Sequence, residues 1–297
     1  DVWTLRGWAC IGSGSREQAI DSFRKAVSLP GATDGDRETL ASLEQGASLE
    51  QLRKDVVFRK FDDEVLRGKH GDPKDAARSG VVQFKQLLER KPDDVDLAYG
   101  LAYCHYVLGQ LDHAEPLLLR VIGEKPEHAD ALTLLGLIAM KRERPDQQLA
   151  YYERAVRADP KHVLANTNLA SLYQDKGDFH AARPLLLRAI EAAPQDDPHL
   201  PIALDLLGNS YGTIEHDYER EAELHQQAIA LDPKRPMFRG NLVVALLSAG
   251  RAKDAHRALQ AAKDARLVLP NQSMVENLVR LYQDRSLHPY QHMQFVD

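Results

Sequence analysis

The chain has 297 residues, 43% of them hydrophobic but only 6% aromatic, and a formal net charge of −6. That balance gives no general attraction for nucleic acid or an anionic membrane surface, and its most apolar run, 131–140, falls well short of the roughly 20 residues that a bilayer span takes. Cys10 and Cys104, the only cysteines, form neither a zinc pattern nor a disulfide framework, which points to a reducing, cytoplasmic setting.

Taken in order, residues 2–30 read as a helix pair. Trp3, Gly7 and Cys10 share one face, Gly12-Ser13-Gly14-Ser15 breaks the helix, and Ala19, Phe23 and Ala26 mark a second helix stopped by Pro30-Gly31. Because the chain starts at Asp1 rather than Met and Trp3 already begins the pattern, a fragment or processed form is expected. Residues 31–60 read as a helical insertion, with a short helix at 38–45. Ser48 and Gln51 form a capping box for a long helix over about 49–67. Its partner runs over about 73–91, with Asp72 as N-cap and Pro73 at the first helical position.

From there the chain is periodic. Pro92, Pro126, Pro160 and Pro194 follow one another at intervals of 34, as do Leu101, Leu135 and Leu169; Ala102, Gly136 and Ala170; and Phe84, Leu118, Tyr152 and Leu186. A fixed period of this length is the mark of a stacked helix-turn-helix array, in which each repeat packs only on its neighbours. The small residue after each leucine lets the paired helices approach closely, and each proline ends a second helix. Pro116 and Pro184 fall near the start of second helices, where a lost hydrogen bond costs least. From Pro194 to Pro233 the spacing stretches to 39, an excess assigned to Asp196-Asp197-Pro198 and to a turn at 212–217. A further unit covers 236–266, a capping helix 271–285, and a tail 287–297.

These residues resemble the tetratricopeptide repeat family, whose units carry a large residue, Leu, Gly or Ala and Tyr on the first helix, then Ala, a bulky residue, Ala and Pro on the second. Asn166, Leu169, Ala170, Tyr173, Ala182, Leu186, Ala189 and Pro194 follow that pattern. Leu132, Leu135, Gly136, Ala139, Tyr152, Ala155 and Pro160 do so with Gln148 in place of the usual Ala, and the unit ending at Pro92 is degenerate, with Gly80 there. The resemblance implies an all-α fold, a right-handed superhelical solenoid of antiparallel helix pairs over 1–286. Its units fall at about 2–30, 61–92, 93–126, 127–160, 161–194, 199–233 and 236–266, ahead of the capping helix. It also implies a concave groove, lined by the first helices, that takes a protein or peptide partner.

Groove positions lie between the packing positions. They are Tyr99, Tyr103 and Tyr106 in one unit, Thr133, Leu137, Met140 and Lys141 in the next, then Thr167, Ser171 and Gln174, then Asp205 and Asn209. Tyrosine gives contact area at low entropic cost and keeps a polar tip, so the three tyrosines are the favoured contact strip; packing against a neighbouring helix or the 31–60 insertion is the competing reading. Asn168 and Asn241 sit just before their leucines, where they face either the groove or an adjacent helix. The Lys, Asn and Arg clamp of the family's chaperone-binding members is missing.

Cys104, His105 and His113, and Glu215, His216 and Asp217, read as surface or packing groups, not metal ligands. No cofactor, phosphate-loop or nucleophile motif occurs, and the Arg53-Lys54 and Arg59-Lys60 pairs are broken up by Asp55, Asp62 and Asp63. The expectation is a non-enzymatic protein-interaction scaffold with no nucleic-acid partner and no membrane span. The alternatives are a regulatory or substrate-recruiting arm of a larger enzyme, and a self-associating scaffold joined at an edge near Trp3 and Trp8.

Overall fold

The computed structural model describes residues 6, 10–11, 15–30, 34–49, 52, 54 and 72–283. Trp3, Gly7, Trp8, most of the 49–67 helix, Arg53, Arg59 and Lys60, and the 287–297 tail lie outside the described residues. Among the described residues every regular element is an α-helix. The chain divides into two compact units, 1–126 and 127–297.

In the first unit, α1 (Arg16–Val27) packs on α2 (Asp34–Glu44). Ala19, Phe23, Leu43, Ile11 and Leu52 form their core. The second helix starts earlier than the expected 38–45. Helix α3 (Pro73–Arg90) begins as its sequence dictates: the Asp72 carboxylate accepts from the Lys74 N–H, and Pro73 occupies a position whose N–H would have no helical acceptor.

It packs on α4 (Val95–Val107), which packs on α5 (Leu111–Glu124). Gly109 makes the turn between these two with φ +74°, a left-handed conformation that glycine adopts without strain. The degenerate repeat has a steric cause. A Cβ at Gly80 would come within 2.6 Å of the Cys104 Sγ, and one at Gly100 would enter the Phe84 ring, so each helix yields space to a side chain of the other.

The second unit continues with α6 (Ala129–Lys141), α7 (Pro145–Ala158), α8 (Val163–Asp175), α9 (Phe179–Ala192), α10 (Leu200–Glu215), α11 (Tyr218–Leu231), α12 (Pro236–Ser248), α13 (Ala252–Asp264) and α14 (Gln272–Gln283). Each first helix packs on its second: α6 on α7, α8 on α9, α10 on α11, α12 on α13. The first helices also lie side by side, α6 against α8, α8 against α10 and α10 against α12, and the final helix covers α12 and α13. Short connections of this kind make consecutive helices antiparallel. The core runs through the periodic positions, with Tyr152, Leu169, Ala182, Leu186 and Ala189 all buried.

Two details differ from the expected layout. The excess between Pro194 and Pro233 is taken up partly inside α10, which has 16 residues where α6 and α8 have 13 each. Gly212 is therefore helical and buried, and only His216, at φ 55°, turns the chain. Pro116 and Pro184 lie inside α5 and α9, beyond the first turn, so each removes one intrahelical bond rather than falling on an N–H that had no acceptor.

Candidate partner-binding surface and a buried polar joint

In the first unit, helix α4 places Tyr99, Tyr103 and Tyr106 along one stripe because residues three and four apart share a helical face. All three are half-buried. Their ring centroids are 6.3 Å apart for Tyr99–Tyr103 and 6.1 Å for Tyr103–Tyr106, tilted by 59° and 58°, a spacing and tilt that aromatic pairs favour. Burial pushes the Tyr106 hydroxyl above its ordinary value. The 31–60 insertion reaches the start of this helix. Lys54 Nζ donates to both Asp94 oxygens at 2.9 and 3.0 Å and to Asp96 Oδ2 at 2.9 Å, while Lys125 donates to Asp96 Oδ1 at 2.8 Å. Asp94 also caps the helix, accepting from the Asp96 and Leu97 N–H groups. The strip thus begins one turn beyond a pinned carboxylate pair.

In the second unit the expected groove positions separate into two sets. Leu137, Ser171 and Asn209 are half-buried and Met140 and Lys141 exposed, along the row formed by α6, α8 and α10. Thr133, Thr167 and Asp205, expected to face a partner, are buried instead at 0%, 2% and 1% exposure. Thr133 Oγ1 donates to the Ala129 carbonyl and Thr167 Oγ1 to the Val163 carbonyl, each at 2.8 Å. Gln174 is spent between helices: its Nε2 donates to the Leu206 carbonyl at 2.7 Å and to Ser210 Oγ at 2.8 Å.

Asp205 belongs to a buried polar cluster that the sequence reading did not assemble. His225 Nδ1 lies 2.8 Å from Asp205 Oδ1, and its Nε2 lies 3.6 Å from Glu221 Oε1. Asn241 Nδ2 donates to both Asp205 oxygens at 3.1 Å, so Asn241 serves inter-helix bonding rather than a groove. Burial opposes a charge on His225, but the Asp205 and Glu221 carboxylates outweigh it and push the imidazole up to about 9. The signal was present in the spacing. His225 stands eight residues before Pro233, as Phe84, Leu118, Tyr152 and Leu186 stand before their prolines, and Glu221 takes the small-residue position of Ala114 and Ala182. Two glycines make the room: a Cβ at Gly208 would come within 3.2 Å of His225 Cε1, and one at Gly212 would collide with the Glu221 carboxylate.

His105 and His113 stack at 5.2 Å, and His105 Nδ1 lies 2.6 Å from Gln110 Oε1. Burial pushes the Cys104 thiol up to about 12, so it stays protonated. Among the described residues no group of three His, Cys, Asp or Glu side chains is placed to hold a metal ion, and no helix is long and apolar enough to cross a membrane.

Helix pairs with small residues at the crossings in each unit, and a side-by-side row of first helices in the second, define a repeat-array protein. Tetratricopeptide repeat descriptions match residues 1–32, 69–138 and 139–200, together more than half of the chain, which therefore belongs to the tetratricopeptide repeat family. Curated relatives include the peroxisomal targeting signal receptor of Saccharomyces cerevisiae, 23% identical over 47% of this chain and 29% of its own length. A second is the protein O-mannosyl-transferase TMTC1 of Mus musculus, 26% identical over 51% of this chain and 16% of its own. The chain thus spans less than a third of either relative. Among solved structures, PilW, a type IV pilus biogenesis factor, is similar with TM-score 0.58 and 17% identity over 77% of this chain and 99% of that one. Yeast Tom70 is similar with TM-score 0.52 and 16% identity over 94% and 62%. At these identities the structural likeness speaks for the fold.

Proposed function

We propose that this array is a non-catalytic protein-interaction module that takes a peptide or partner segment on its first helices. The observation that carries the reading is the tyrosine strip of α4, three half-buried rings about one helical turn apart on a single face. Such a strip offers apolar area flanked by hydroxyls, the composition of binding hot spots. In the second unit Leu137, Met140, Lys141, Ser171 and Asn209 offer a smaller, mixed surface. Family membership supports the reading, as does a relative whose name is that of a targeting-signal receptor. Cys10 and Cys104, both buried, accord with a cytoplasmic setting.

The test is affinity capture with mass spectrometry using the full-length protein, comparing wild type with the Tyr99→Ala/Tyr103→Ala/Tyr106→Ala variant. Loss of the captured partner at unchanged helicity supports the strip; an identical partner list sinks it. A second reading, an arm that recruits substrate to a larger enzyme, draws on the transferase relative, of which this chain spans 16%. A catalytic domain in the full-length sequence would favour it.

A further inference from the structure

The Asp205, Glu221, His225 and Asn241 cluster stands apart from the surface proposed for binding. His225 is 0% exposed and Asp205 1%, so both lie in the core positions of their helices, where α9 and α8 carry Leu186 and Thr167. The cluster joins three helices: Asp205 is on α10, Glu221 and His225 on α11, and Asn241 on α12. Only one member is a cation, and it stands between two carboxylates.

The other charged groups of these helices are engaged elsewhere. Glu215 on α10 binds Arg183, Glu219 and Glu223 on α11 bind Arg251 and Arg220, and Arg239, the one charged residue of α12, donates to the Pro233 carbonyl at 3.4 Å. None of these contacts reaches the imidazole.

We propose that the docking of α12, and with it α13 and α14, onto the α10–α11 pair is a proton-held joint, closed while His225 is an imidazolium and released when it loses a proton. The proton lost is the one on Nε2. Nδ1 stays 2.8 Å from Asp205 Oδ1, while the bared Nε2 lone pair is left beside the Glu221 carboxylate 3.6 Å away. The buried Asp205 carboxylate and the half-buried Glu221 carboxylate then share only neutral donors, and a buried charge without a counter-charge is strongly destabilising. Moving α12 away removes Asn241 and admits water to all three groups.

The sign follows from linkage. His225 is raised from the ordinary 6.5 to about 9 in the closed state, so its contribution is fully present below 6.5 and is lost as the pH rises through 9. Between pH 6.5 and 9.5 the opening equilibrium should rise on the order of a hundredfold.

Hydrogen exchange of the full chain, corrected for intrinsic rates and resolved by mass spectrometry, tests this. Protection of Pro236–Gln283 should fall about a hundredfold over that range while that of Ala129–Ala192 changes little. The Asp205→Thr/Glu221→Ala/His225→Leu variant, which copies the core of α8 and α9, should lose the difference. Equal falls in both regions, or a fall that persists in the triple variant, would overturn the proposal. Should the variant not fold, the wild-type imidazole titration followed by NMR decides: a midpoint near the ordinary 6.5 refutes the joint and one near 9 supports it.

Discussion

The contact between Gly136 and Tyr152 offers a quantitative test of how these repeats are packed. Tyr152 is 1% exposed, and a Cβ at Gly136 would enter its ring. In the next pair the same two positions hold Ala170 and Leu186, both buried in the same core cluster. The pairing rule is that a larger first-helix residue goes with a smaller second-helix one. Gly136→Ala gains about 1 kcal/mol of helix propensity, but the ring has nowhere to go, which puts overpacking in the upper part of its usual range, about 2–3 kcal/mol; the net expectation is a loss of about 1–2 kcal/mol. Tyr152→Leu removes a buried ring and leaves a void, for a loss of about 2–3 kcal/mol, below the roughly 3–5 kcal/mol of a full aromatic truncation to Ala. Additivity would put the double variant about 3–5 kcal/mol below wild type. The packing rule instead puts Gly136→Ala/Tyr152→Leu within about 1 kcal/mol of it, a coupling of at least about 2 kcal/mol. Urea unfolding followed by circular dichroism at fixed protein concentration measures all four proteins. A double variant equal to the sum of the singles would refute steric complementarity as the basis of the pairing.

Glu143 takes a left-handed φ of 56° in the turn between α6 and α7, where the corresponding turns use Gly109, Gly177 and Gly250. Glu143→Gly should raise stability by about 0.5–1 kcal/mol, since the relief of about 1–2 kcal/mol exceeds the entropy a glycine adds to the unfolded chain; a lower urea midpoint would contradict this. Lys54→Met removes a cation held by Asp94 and Asp96 and only 17% exposed itself, so it should cost about 1–2 kcal/mol at pH 7. That cost should shrink in acid. The Lys125 hydrogen bond, and then Lys54, hold the Asp96 carboxylate below the ordinary 3.8, so its contribution is present above that value and is lost as the pH falls through its lower folded value. Thermal midpoints of variant and wild type at pH 7 and pH 2.5 should therefore converge, and a constant difference would count against the ion pairs.

The array could be read from the sequence because its physics repeats. From Pro92 to Pro194 a proline after each second helix and a small residue at each crossing recur at 34, and each recurrence confirms the others. The Thr133, Thr167 and Asp205 positions were not legible in the same way. Period alone says that they share a register with Tyr99, but the side chain decides whether that register faces solvent: the threonine hydroxyl is short enough to fold back on its own helix, whereas tyrosine cannot and must extend. Asp205 is a third outcome of the same register. Its carboxylate would not be tolerated in the core without His225 and Asn241, and those lie 20 and 36 residues further on, so no local pattern could reveal it. The residues that would have revealed it are the departures from the repeat, Glu221 where alanine is usual and His225 where a bulky apolar residue is usual. In a periodic protein the consensus positions explain why the chain folds, and paired departures from consensus mark where one joint has been made to behave differently from the rest.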